Sequence, residues 1–332
     1  MEQAVIELNG LTKRYGEFTA VSGLNLSIRA GEIFGLLGPN GAGKTTTILM
    51  MLGLTEPSAG TATVCGIDAT RNPMQVKRRV GYMPDDVGFY EDRTGLDNLV
   101  YTARLNRIPA KEARVRAEQM LEKVGLSEAA HKKTGAYSRG MRQRLGLADV
   151  LIKQPEVIIL DEPTLGIDPE GVRELLTLIR DLSRNEGLTV LLSSHHLHQV
   201  QQICDRVGLF VGGKLIASGD LDALSRELDG GPTRLVEADI RGWTPELTDA
   251  IAAIEHVSGV TSGDADALDN AAAGDAGSVT VRVAGTADFT PQLASVIVGS
   301  GAELLGLRPM RYGLDEIYHR YFEGGDSRDR VH

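Results

Sequence analysis

The chain has 332 residues, 42% of them hydrophobic and 24% charged, with a formal net charge of -10 and two cysteines. That length suits two ordinary domains with a sizeable core. An acidic chain without a basic block is a poor partner for nucleic acid, and Cys65 and Cys204, far apart and without metal-ligand spacing, read as small buried hydrophobes in a reduced compartment.

No run approaches the roughly 18–20 apolar residues that span a bilayer. The start, Met1–Gly10, carries Glu2 and Glu7 and has no apolar stretch of the signal-peptide kind. The expectation is a cytoplasmic protein that meets a membrane only through a partner.

Val5–Leu8 and Leu24–Ile28 read as strands, and Ile33–Leu37 is a continuous apolar run that stops at Gly38, as a buried strand would. Lys44–Leu52 follows as a helix. Residues from about 94 to 135 contain no strand-like run and read as a helical insertion of amphipathic helices. Val157–Leu160 and Thr189–Leu192 repeat the buried-strand pattern around a helix at Gly171–Ser183. Strands alternating with helices predict an α/β domain with a mostly parallel sheet covered on both faces. The turn-rich Asp229-Gly230-Gly231-Pro232 reads as a linker. Beyond it the order is strand Arg234–Ile240, helix Glu246–Glu255, strands Gly259–Ser262 and Val279–Val283, helix Pro291–Ser300 and strand Glu303–Arg308, a βαββαβ pattern of ferredoxin-like kind. Gly263–Gly277 reads as a mobile loop and residues 324–332 as a disordered tail.

Gly38-Pro39-Asn40-Gly41-Ala42-Gly43-Lys44-Thr45, followed by Thr46, fits G-x-x-x-x-G-K-[ST]. The glycines let backbone N–H groups converge on phosphate oxygens, and the following helix turns its positive end toward them. Lys44 then reaches the β and γ phosphates of ATP, and Thr45 offers a hydroxyl to Mg²⁺. Val157–Leu160 ends in Asp161-Glu162, two adjacent carboxylates that point in different directions. Asp161 suits the metal, and Glu162 suits the polarisation of an attacking water.

Tyr137-Ser138-Arg139-Gly140-Met141-Arg142-Gln143-Arg144, Pro163-Thr164-Leu165-Gly166-Ile167-Asp168-Pro169 and Ser193-Ser194-His195 complete a set that resembles the ABC ATPase family over about residues 4–225. The resemblance implies a dimer in which the signature helix of one subunit meets the γ phosphate of ATP held by the other, through Ser138 and the Gly140 amide. It also implies that Asp168 lies in the loop linking the two sites, that His195 contacts the γ phosphate and the attacking water, and that Tyr15 stacks on adenine. His196 and His198 read as helix-surface residues. The family implies a membrane-spanning permease as partner, and a place on the cytoplasmic face of the cell membrane. The alternative, a soluble ABC ATPase acting on ribosomes or DNA, fits less well with one cassette and no sustained heptads.

Two departures stand out. The signature, usually Leu-Ser-Gly-Gly-Gln, is Tyr-Ser-Arg-Gly-Met here, and the loop Gly81-Tyr82-Met83-Pro84-Asp85 usually ends in Gln. Asp85 keeps a metal-binding oxygen but adds negative charge beside Asp161 and Glu162. The Tyr-Ser-x-Gly-Met-Arg-Gln-Arg pattern resembles exporter ATPases of the ABC-2 type. Gly81–Tyr90 and the C-terminal Gly313–Phe322 are most similar to the ATPase of nitrous-oxide reductase maturation. The expected organisation is an ABC domain over residues 1–228 and a small α+β ferredoxin-like accessory domain over 233–323.

Overall fold

The computed structural model describes residues 4–220, 224, 234–262 and 278–310. The chain divides into two units, Met1–Leu221 and Asp222–His332. The expected linker, the loop over 263–277, the C-terminal segment 313–322 and the tail over 324–332 lie outside the described residues.

The first unit holds two sheets. Strands β1 (Ala4–Tyr15) and β2 (Phe18–Arg29) form a long antiparallel hairpin, joined by Gly16-Glu17. After β3 (Ile33–Leu37) and α1 (Lys44–Met51), strands β4 (Ala59–Val64) and β5 (Ile67–Asp68) extend that hairpin to a four-stranded antiparallel sheet of order β2-β1-β4-β5. The parallel sheet predicted from the sequence therefore does not include the first two strands. The reason is visible in β2, where Leu24, Leu26 and Ile28 are buried and Asn25, Ser27 and Arg29 are exposed. That alternation marks a sheet with one face on the core, and a two-residue turn can join only antiparallel neighbours.

The second sheet has six strands, in order β10-β9-β3-β8-β7-β6. Between α2 (Pro73–Arg79) and the helical insertion runs β6 (Val80–Met83). The others are β7 (Val157–Asp161), β8 (Thr189–Ser194), β9 (Arg206–Val211) and β10 (Lys214–Gly219). Strands β9, β3, β8, β7 and β6 pair with one another in parallel, and only β10 runs antiparallel to its neighbour. Every residue of β3, β7 and β8 is buried, as parallel strands covered on both faces require. Phe34, Leu36, Ile159, Leu191 and Phe210 of this sheet share a core with Ile6, Leu8, Leu26 and Ile28 of the first.

The insertion consists of α3 (Gly95–Leu105) and α4 (Ala110–Lys123), with two short 3-10 turns. Thr94 caps α3 by accepting from the Asp97 N–H at 3.0 Å. Leu99, Ala103, Ala113, Ala117 and Leu121 pack with Leu145 and Ala148 of α5 (Arg139–Leu151), so this second core is anchored on the helix that leads into β7. Helices α6 (Pro169–Glu186) and α7 (Leu197–Ile203) complete the unit.

The second unit runs β11 (Arg234–Arg241), α8 (Pro245–Ala252), β12 (Val257–Ser262), β13 (Ser278–Gly285), α9 (Thr290–Gly299) and β14 (Glu303–Met310). Its antiparallel sheet has the order β12-β13-β11-β14. Val236, Ala238 and Ile240 alternate inward from β11 onto Leu247, Ile251, Leu293 and Ile297 of the two helices. Among the described residues, no helix is long and apolar enough to cross a membrane.

Candidate active site

The loop from β3 to α1 can close only with glycine at its key positions. Gly43 has φ of 105°, and a Cβ there would stand 2.4 Å from the Ala20 carbonyl oxygen. A Cβ on Gly38 would stand 2.3 Å from the Phe210 carbonyl oxygen. Lys44, at the first turn of α1, folds back under the loop. Its Nζ donates to the carbonyls of Gly38 at 2.6 Å and Pro39 at 3.2 Å. The loop borders an open cleft of about 400 Å³, lined by Tyr15, Phe18, Ala20, residues 39–46, Asp85, Asp161 and Glu162.

The carboxylates enter from the end of β7. Asp161 Oδ2 accepts from the Thr45 hydroxyl at 2.8 Å, whereas its Oδ1 is buried without a hydrogen-bond partner among the described residues. Burial pushes the Asp161 carboxyl up from its ordinary value, against the pull of its hydrogen bonds, and the charges of Glu162 and Asp85 push it further. A buried, orphaned carboxylate oxygen beside a hydroxyl and a second carboxylate is a donor set for a hard divalent cation, so these residues fit Mg²⁺. Asp85 itself is exposed and accepts from the Asp86 N–H at 2.9 Å.

Glu162 has φ of 48°, the left-handed region that a side chain of this kind rarely adopts. Its N–H donates to the Ser193 carbonyl at 3.0 Å. Its Oε1 lies 3.4 Å from Lys44 Nζ, and its Oε2 lies 2.9 Å from His195 Nδ1. A carboxylate partner at that distance places the imidazole proton on Nδ1. The His196 ring lies against that of His195, tilted by 43° with 3.9 Å between centroids, and burial lowers its pKa, as does the neighbouring His195. Ligand atoms of Glu162, His195 and His196 fall within 4.8 Å of one another, although Glu162 Oε2 is already engaged by His195.

Of the remaining predicted residues, Ser138, Gly140 and Asp168 lie outside the cleft lining. Ser138 caps α5, accepting from the Met141 N–H at 3.2 Å, and is exposed, with Gly140 two residues on. Asp168 caps α6, accepting from the Gly171 N–H at 3.2 Å. Arg139 Nε donates to the Leu165 carbonyl at 2.7 Å. Tyr15, 52% exposed, lines the cleft beside Phe18, which is 62% exposed and pairs with it across the hairpin turn. Lys13 Nζ lies 4.9 Å from the centre of the Tyr15 ring and donates to the Glu56 carbonyl. Phe18 and Ala20 were not singled out in the sequence. The available signal was an aromatic residue just across a Gly-containing turn from Tyr15.

Residues 21–165 match the ABC transporter family. The linearmycin resistance ATP-binding protein LnrL of Bacillus subtilis is 36% identical over 257 residues, 77% of this chain and 82% of that protein. The chain belongs to the ABC transporter family. As an ABC ATP-binding subunit it binds nucleotide, and its family couples ATP hydrolysis to transport. The bacitracin transport ATP-binding protein BcrA of Bacillus licheniformis is 40% identical over 222 residues, covering 67% of this ABC subunit and 72% of that one. The structure of cbiO1 from Clostridium perfringens, part of the ABC transporter complex cbiONQ, aligns with a TM-score of 0.61 at 27% identity. It covers 69% of this ABC subunit and 95% of that chain.

Proposed function

We propose that this ABC subunit powers an exporter of the ABC-2 type, with Glu162 as the group that orients and deprotonates the attacking water. The observation that carries this reading is the position of the Glu162 carboxylate, held between Lys44 Nζ at 3.4 Å and His195 Nδ1 at 2.9 Å at the rim of the phosphate loop. When ATP enters, its γ phosphate competes for Lys44, since an ammonium at the loop is the natural partner of phosphate oxygens. Glu162 then keeps His195 as its remaining partner, and a water between the carboxylate and the phosphate has an acceptor for its proton. Tyr15 and Phe18 offer an aromatic wall for adenine, and the loop over 40–46, which lines the cleft, would supply backbone N–H groups to the phosphates.

Thr45, Asp161 and Asp85 would hold Mg²⁺. Once bound, that ion supplies charge neutralisation on the phosphates. Ser138, Gly140 and Asp168 lie apart from their own subunit's cleft lining, which fits a role toward the nucleotide of a second copy, with the exposed N-terminus of α5 offered to its phosphate.

Export is supported by the resistance and antibiotic-transport roles in the names of the relatives above. The nitrous-oxide maturation subgroup draws no support from them. The strand order of the second unit supports its reading as a ferredoxin-like accessory domain that follows the ATPase domain. A permease partner would place the subunit on the cytoplasmic face of the membrane. The test is to purify the chain together with a candidate permease of the ABC-2 type and to follow ATP hydrolysis in vesicles. Turnover should rise on assembly. An ATPase indifferent to any membrane protein would overturn the transporter role.

A further inference from the structure

The loop that leaves Glu162 is tied at both ends and twice in between. The Leu165 N–H donates to the Glu162 carbonyl at 3.1 Å, and Asp168 caps α6 at the far end. Thr164 Oγ1 is hydrogen-bonded to Gln199 of α7, the helix that follows His195. Arg139, from the first turn of α5, donates through Nε to the Leu165 carbonyl at 2.7 Å. Gly166 makes room for that side chain. It has φ of 73°, and a Cβ there would stand 2.9 Å from Arg139 Nε and 3.1 Å from its Cδ.

We propose that Arg139 is a positioning residue that ties the start of α5 to the loop leaving Glu162 within one subunit. Engagement of the partner copy's nucleotide by Ser138 and Gly140 would then set the place of Glu162 at the subunit's own nucleotide. This rests on the roles given above to Ser138 and Glu162. Glu162 sits at φ of 48°, a conformation that its surroundings must impose, because its own backbone preference is against it. The bonds to Thr164 and Leu165 are part of that imposition. Glycine, the usual residue at position 139, has no side chain to make the second one. A charged donor on a carbonyl is among the stronger single hydrogen bonds, and its planar fork is set in one direction by the loop it holds.

The rival use of the same charge is a direct contact with the partner's phosphate, and the two differ in what they predict. Arg139→Met keeps the length of the side chain and removes its donors, whereas Arg139→Lys keeps the charge and one donor group. Steady-state turnover is measured over a range of ATP concentrations, and ATP-driven dimerisation is measured in a Glu162→Gln background. For Arg139→Met, kcat should fall about three- to tenfold, with KM for ATP and dimer affinity within about twofold of the parent, and Arg139→Lys should recover about half the turnover or more.

Unchanged turnover would overturn the proposal. So would a loss that appears in dimer affinity, which would assign Arg139 to the phosphate, and so would a lysine variant no better than methionine. If Arg139→Met does not fold, Arg139→Leu, which likewise lacks a donor, is measured in the same way and judged by the same outcomes. Failure of Glu162→Gln itself to stop turnover and trap a dimer would sink the roles of Glu162 and Ser138 instead, a result distinct from failure of the tie.

Discussion

His195 Nδ1 and Glu162 Oε2 stand 2.9 Å apart, joining the ends of two neighbouring parallel strands. Glu162 Oε1, 3.4 Å from Lys44, faces the phosphate loop. One carboxylate thus reads both the loop and the histidine, and its strained backbone holds it between them.

Glu162→Gln should leave ATP binding intact and cut turnover by on the order of 10²-fold or more, as loss of a positioned base does. The amide oxygen can accept from Lys44, and its nitrogen can donate to His195 once that ring carries its proton on Nε2, so the place of the side chain is kept while the proton acceptor is lost. Hydrolysis assays with a parallel sizing experiment in ATP check both halves. A dimer stable in ATP is expected, and turnover near that of the parent would remove Glu162 from its role.

Lys44→Ala should weaken ATP binding by about 1.5–3 kcal/mol, the range for a desolvated charged hydrogen bond. It also strips Glu162 Oε1 of its nearest cation, so turnover should drop further than affinity alone explains. Titration with a fluorescent ATP analogue gives the first number. Equal affinity in the two proteins would contradict the phosphate-loop assignment.

Asp85→Gln restores the residue usual at that place in the family. It removes one of the charges that crowd Asp161 in the metal-free protein, while Mg²⁺ makes the same charge favourable. Basal turnover should stay within about a few-fold, with only a modest weakening of its Mg²⁺ dependence, because Thr45 and Asp161 remain. Stimulation by the membrane partner should change more. The check is a Mg²⁺ series for both proteins, with and without the partner, and coincident curves would end the idea.

Asp149, in α5 beneath the helical insertion, carries a stability prediction. Burial pushes its carboxyl up to about 6 from 3.8, against the Thr102 hydrogen bond and the Lys153 charge, and its Oδ1 has no hydrogen-bond partner among the described residues. A folded-state pKa above the unfolded one means that the fold prefers the protonated acid. That stability is present below pH 3.8 and is lost as pH rises through about 6. Asp149→Asn should therefore stabilise the protein at pH 7.5 by on the order of 1–3 kcal/mol, with the gain shrinking toward pH 4.5. Thermal unfolding at the two pH values checks this. A Tm difference that is the same at both would show that Asp149 does not titrate between them.

Much of the phosphate loop is local in origin, which is why it was legible. A buried apolar strand, glycines that permit positive φ, and a lysine opening a helix all lie within a dozen residues, and each follows from the properties of its own residue type. The same holds for the helical insertion, whose spacing of Leu96, Leu99 and Ala103 marks one buried face. The period-two pattern of β11 announced a half-covered strand in the second unit.

Contacts between elements distant in the chain were decided only by the packed fold. The first two strands joined an antiparallel sheet of their own, because the short turn between them leaves no room for a crossover. Phe18 reached the cleft because the hairpin register sets it opposite Tyr15. The adjacent carboxylates were plain in the sequence, but the sharing of Glu162 between Lys44 and His195 depends on strand order, since β8 must lie beside β7 with β3 on its other side. Arg139 is the clearest case. Its residue type announces a charge at a helix start, and only the course of the loop past Gly166 turns that charge onto the Leu165 carbonyl, because hydrogen-bond partners are chosen by distance in space rather than by spacing along the chain.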